Sequence, residues 1–120
     1  MVVHLASPVV LSGGEPESII GPAKRGTVGI LQSIANHASP DFSHFVLMSS
    51  IAALMRRDVA PGYVFSENDW SRLTEDLLQT MEPSQIKDVA YYASKTIAER
   101  ALWEFMETNK VKTHNPAPME

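Results

Sequence analysis

Tyr91 and Lys95 stand four residues apart, the spacing that puts two side chains on one face of a helix. An ammonium beside a phenol favours the phenolate and so makes the phenol a readier proton donor. Such a phenol can hand its proton to a carbonyl oxygen while hydride arrives at the carbon, which is general acid catalysis. The same pair also fits a half-buried tyrosine with a lysine reaching past it to water. Ser49 and Ser50 are the second candidates. They follow the apolar run Phe45-Val46-Leu47-Met48, and in open parallel sheets ligands bind beyond the carboxyl ends of strands. A hydroxyl there can hydrogen-bond a substrate carbonyl, although serines also end strands and start turns with no further role. Leu5-Ala6-Ser7 end an earlier apolar run, where small side chains would let a ligand approach the backbone closely.

The elements that must position these residues can be read from apolar spacing. Val2 to Leu5 is short and apolar and predicts a buried strand. Ser12-Gly13-Gly14-Glu15-Pro16 is loop chemistry. Ile20, Ala23, Thr27, Ile30, Leu31 and Ile34 recur at three and four residues and predict a helix over about 17–36, with Pro22 near its first turn or at a bend. Phe45 to Met48 does not alternate, so it reads as a strand buried on both faces, the habit of helix-covered parallel sheets. Residues 55–83 are polar and irregular, with a turn at Pro61-Gly62 and a short helix over about 71–81. Ile86, Ala90, Ala93, Ile97, Ala101 and Phe105, widened by Val89, Ala98 and Leu102, predict a long helix to about Asn109, with Pro83-Ser84 as its cap. Residues 1–110 read as one domain and 111–120 as a frayed tail.

Strand, helix, strand gives an α/β chain with a parallel βαβ unit. A two-stranded sheet has two edges and two faces to cover, and apolar strands with open edges are a liability. The expectation is a piece of a larger sheet, or a chain that self-associates through its strand edges.

Composition narrows the function classes. The chain has 120 residues, 44% of them hydrophobic, and a net charge of −4, which does not suit a nucleic-acid partner. The absence of cysteine excludes disulfides and thiol chemistry. His4, His37, His44 and His114 lack ligand spacing, so no metal site is expected. No run is long enough for a membrane span. The apolar start is broken by Pro8 and carries no Lys or Arg before Lys24, so a secretion signal is not expected and the expected location is cytoplasmic.

Four stretches together resemble the extended short-chain dehydrogenase/reductase family. They are His4-Leu5-Ala6-Ser7-Pro8, Pro22 to Leu31, Phe45 to Ala53 and Tyr91 to Phe105. Glu67-Asn68-Asp69-Trp70 and the ending Trp103-Glu104-Phe105 look most like the dihydroflavonol-reductase-like branch with its fungal carbonyl reductases. The resemblance implies a partial Rossmann-like sheet and NAD(P)H-dependent reduction of a small ketone or aldehyde. Tyr91 would be the proton donor, and Lys95 would tune it and hold the nicotinamide ribose. Ser50 would orient the carbonyl, with Ser49 as the fallback. Leu5, Ala6 and Ser7 would line the cofactor's path, and NADPH is favoured over NADH. The family's opening strand and Gly-x-x-Gly-x-x-Gly turn, which cradles the pyrophosphate, has no counterpart here, since Gly13-Gly14 has the wrong spacing and context. Strands one to three would lie before Met1. An isolated chain is therefore expected to bind cofactor weakly and to have little or no activity. The alternative is a truncated, non-catalytic relic or a self-associating interaction module.

Overall fold

The computed structural model describes residues 1–9 and 15–109. The expected loop glycines Gly13 and Gly14 and the expected tail lie outside them. β1 (Val2–His4), α1 (Glu17–His37), β2 (Phe45–Leu47), a 3-10 turn (Ile51–Ala53), α2 (Glu75–Gln79) and α3 (Pro83–Asn109) follow in order. β1 and β2 pair in parallel with Val2 opposite Phe45 and His4 opposite Leu47. This is the βαβ unit that the apolar pattern predicts. Each strand is one residue shorter than its apolar run, and the Met48 N–H still donates to the His4 carbonyl at 3.0 Å.

The helices carry the core. Ile19, Ile20, Ala23, Thr27 and Leu31 are buried on α1. Ala90, Ala93, Ile97 and Ala101 are buried on α3, which packs along α1. Leu78 of α2 joins Ile20, Ala93 and Ile97 in one cluster, flanked by Leu73, Met81, Ile86 and Val89. α1 continues through Pro22, whose ring nitrogen forgoes the bond to the Ser18 carbonyl. α3 starts one residue earlier than its expected cap. Pro83 takes the first helical position, and the Gln85 side chain accepts from the Glu82 N–H at 3.1 Å, one half of a capping box. α2 is shorter than predicted because the chain before it is held elsewhere: the Ser71 N–H donates to the Ala53 carbonyl at 2.8 Å. Thr74 then caps α2 by accepting from the Leu77 N–H.

The expectation of strands buried on both faces is corrected. Val2, His4, Phe45 and Leu47 are half-buried, whereas Val3 and Val46 remain 46% and 44% exposed and Leu5 and Met48 are more open still. α1 and α3 leave the opposite face of the two-stranded sheet uncovered among the described residues.

Ala93 has no exposed surface. Ala93→Leu is expected to force α1 and α3 apart and to cost about 1–3 kcal/mol, read as a lower urea midpoint. An unchanged midpoint would show that the helix seam has spare room.

Candidate active site

α3 is buried on every side between Ala93 and Ala98. Polar residues in that stretch must therefore find partners. Ser94 Oγ donates to the Tyr91 carbonyl at 2.7 Å and Thr96 Oγ1 to the Tyr92 carbonyl at 2.8 Å, so both hydroxyls are satisfied within their own helix. Lys95 is 8% exposed. Its ammonium lies 5.9 Å from the centroid of the Tyr91 ring, one turn back, as the i, i+4 spacing requires. Tyr91 is half-buried and meets Tyr92 edge to face at 6.2 Å. The ion pairs of the described residues use Lys24, Arg56, Arg72 and Lys87, and none uses Lys95.

Lys95 lines a small crevice with Ala6, Ser7 and Ser49. Two of the three residues at the end of the first strand thus meet the lysine, together with a serine from the end of the second. Leu5 is not in that crevice and is exposed. The parallel pairing of β1 and β2 accounts for this, because it brings both carboxyl ends to the same side of the sheet.

The two serines are engaged differently. Ser49 Oγ donates to Glu99 Oε2 on α3. Its single hydroxyl proton is then committed. Ser50 Oγ accepts from the Ala52 N–H at 3.2 Å and so caps the 3-10 turn. That bond uses a lone pair and leaves the Ser50 proton free. Ser50, which the resemblance assigns to the carbonyl, and Ser49, its fallback, thus hold different hydrogen bonds. Glu99 is the residue that sequence reasoning passed over, although it lies at i+8 from Tyr91 and i+4 from Lys95 on the same helix.

A larger cleft of about 790 Å³ adjoins the serines and is lined by Ser49, Ser50, Asp69, Trp70, Glu99 and Trp103, among others. Asp69 builds its loop wall. Its Oδ1 accepts from the Tyr63 hydroxyl at 2.6 Å, and its Oδ2 accepts from the Ser66 N–H at 2.8 Å. The Arg56 guanidinium stands 3.5 Å from Oδ1 and 5.7 Å from the Tyr63 ring centroid. Pro61-Gly62 forms the turn, with Gly62 at φ +83 and the Tyr63 N–H returning to the Ala60 carbonyl. Trp70, next to Asp69, lies beneath the Arg100 guanidinium at 4.9 Å.

The hydrogen bond from Tyr63 holds the Asp69 carboxyl below its usual range, helped by the Ser66 N–H. The same bond, accepted by a carboxylate, raises the Tyr63 phenol above its ordinary value. Asp69's hold on the loop is present at neutral pH and is lost as pH falls through its depressed pKa. Tyr63's hold persists until pH rises through its raised pKa. Ultraviolet titration should accordingly show a tyrosinate component above the ordinary value of about 10, which Tyr63→Phe removes. Loss of a different component in that variant would place the raised phenol elsewhere.

No family model matches the chain. The chain is 39% identical over 114 residues to ketoreductase sphI of Aspergillus fumigatus, a stretch covering 91% of this chain and 33% of that protein. It is 35% identical over 113 residues to the NADPH-dependent methylglyoxal reductase GRE2 of Saccharomyces cerevisiae, covering 92% and 32%. The crystal structure of yeast methylglyoxal/isovaleraldehyde reductase Gre2 complexed with NADPH matches with a TM-score of 0.76 at 33% identity, over 93% of this chain and 32% of that one. The chain spans about a third of the length of the curated relatives it matches.

Proposed function

We propose that this chain, a member of the short-chain dehydrogenase/reductase family by its homology, carries the proton-donating part of an NAD(P)H-dependent reductase of small ketones or aldehydes. One observation carries the reading. A buried lysine with no ion pair among the described residues sits beside a tyrosine, at a crevice formed by two strand ends. The stem of Lys95 is buried and its ammonium opens on the crevice, where the hydroxyl oxygens of a nicotinamide ribose would offer it hydrogen-bond acceptors. Lys95 would hold the ribose, and Leu5, Ala6 and Ser7 would offer backbone along the cofactor's path. NADPH is favoured because the yeast relative is named for it.

When bound, the reduced nicotinamide supplies hydride to the carbonyl carbon. Tyr91 gives its phenolic proton to the carbonyl oxygen and regains one from water. Ser50 donates a hydrogen bond to the same oxygen, keeping its own proton, and so orients the carbonyl. Among the described residues no glycine-rich strand-to-helix turn takes the pyrophosphate, so the isolated chain binds NADPH weakly and turns over little or nothing.

The test is a chimaera in which residues 1–109 replace the matched third of the yeast reductase. It should reduce methylglyoxal with NADPH, and Tyr91→Phe within it should lower kcat by roughly 10² to 10⁴. Retained turnover in that variant would remove Tyr91 from the reaction.

The exposed Val3, Leu5, Val46 and Met48 support a second reading, a self-associating module built on the open sheet. Sedimentation of the isolated chain would then show dimers or larger species that Val46→Lys disperses. A monomer at all concentrations would sink it.

A further inference from the structure

We propose that Glu99 is a positioning residue: through Ser49 it sets the end of β2, and with it the Ser50 hydroxyl, relative to Tyr91 and Lys95. The inference rests on the reading that Ser50 and Tyr91 act on the substrate carbonyl.

Two kinds of contact attach the strand end to α3. The first is apolar and undirected. Ala52 and Ala53 of the 3-10 turn are buried, and that turn packs on α3. Alanine methyl groups can shift along a helix without losing much contact. The second is directed: Ser49 Oγ donates to the Glu99 carboxylate in a part-buried setting. A hydrogen bond to a charged acceptor weakens steeply when its geometry is lost, so it fixes the register that the alanines leave loose. Tyr91, Lys95 and Glu99 follow one another at i, i+4 and i+8 on a single rigid helix. Fixing Ser49 to Glu99 therefore fixes Ser50, the next residue, against the same ruler that places Tyr91.

The bond also settles which serine can donate. With Ser49's proton committed to Glu99, only Ser50 has one to offer a carbonyl oxygen.

In the chimaeric reductase, Glu99→Ala is expected to lower kcat roughly tenfold to hundredfold, the cost of a misplaced reacting group, while KM for NADPH stays within about twofold. Glu99→Gln keeps an acceptor for the Ser49 hydroxyl and should restore most of the loss. Ser49→Ala should resemble Glu99→Ala, and the double variant should lose no more than either single one. Independent, multiplying losses would overturn the proposal, as would an unaffected kcat in Glu99→Ala. Turnover that survives Tyr91→Phe would instead overturn the catalytic reading beneath it, so the two failures are distinguishable.

A second measurement uses the 120-residue chain itself and needs no turnover. Glu99→Ala should speed amide exchange at residues 48–52 and leave Ala93 to Ala98 protected. Glu99→Gln should restore slow exchange at 48–52. Unchanged exchange at 48–52, or equal acceleration throughout the chain, would show that Glu99 does not fix the strand end.

Discussion

The close packing of α1 along α3 is the constraint from which the rest of the structure follows. The residues buried on these two helices are mostly small or compact: Ala23 and Thr27 on one, Ala90, Ala93 and Ala101 on the other. Small side chains let helix axes approach, and close approach shields the middle of α3 from water on one side. The strand ends and the 3-10 turn cover it on the other. Lys95 is buried because it lies in that doubly covered stretch. A lysine four residues after a tyrosine is common, but one held under cover beside that tyrosine without an ion pair is not a surface ornament.

The sheet is the lesser part of the fold. Two strands of three residues each bury one face and leave the other open, so the strands serve mainly to deliver chain ends. Parallel pairing brings Ala6-Ser7 and Ser49-Ser50 to one side. Hydrogen bonds from there, to Glu99 and within the 3-10 turn, carry the geometry across to α3. The loop after the turn is held by a compact polar cluster around Asp69 rather than by apolar burial. That suits a loop forming one wall of a cleft, because its backbone must stay near water yet keep its shape.

The uncovered sheet face and the span of the homology agree with each other. A chain covering about a third of its relatives' length would present surfaces that the remaining length packs against. Val3 and Val46 stand half-exposed on that face, with no element packed over them among the described residues.

The sequence by itself determined the order of elements, the two long helices almost to their ends, the buried stripe of α3 and the family resemblance carried by Tyr91, Lys95 and the paired serines. Apolar periodicity and one-turn spacing are local properties, so they are legible along the chain. Its errors were also local in kind. A continuous apolar run says that a strand is meant to be covered, but not whether the covering is present. The cap of α3 was misplaced by one residue because Pro83 can begin a helix as readily as precede one. What only the tertiary structure decided were matters of partnership: that Lys95 is buried without an ion pair, that Ser49 is committed to Glu99 while Ser50 keeps its proton, and that Tyr63 and Asp69 shape the cleft wall. The Ser49–Glu99 bond joins residues fifty positions apart. No spacing rule along one chain encodes such a meeting, because it is set by how α1 and the two strands bring separate segments against α3.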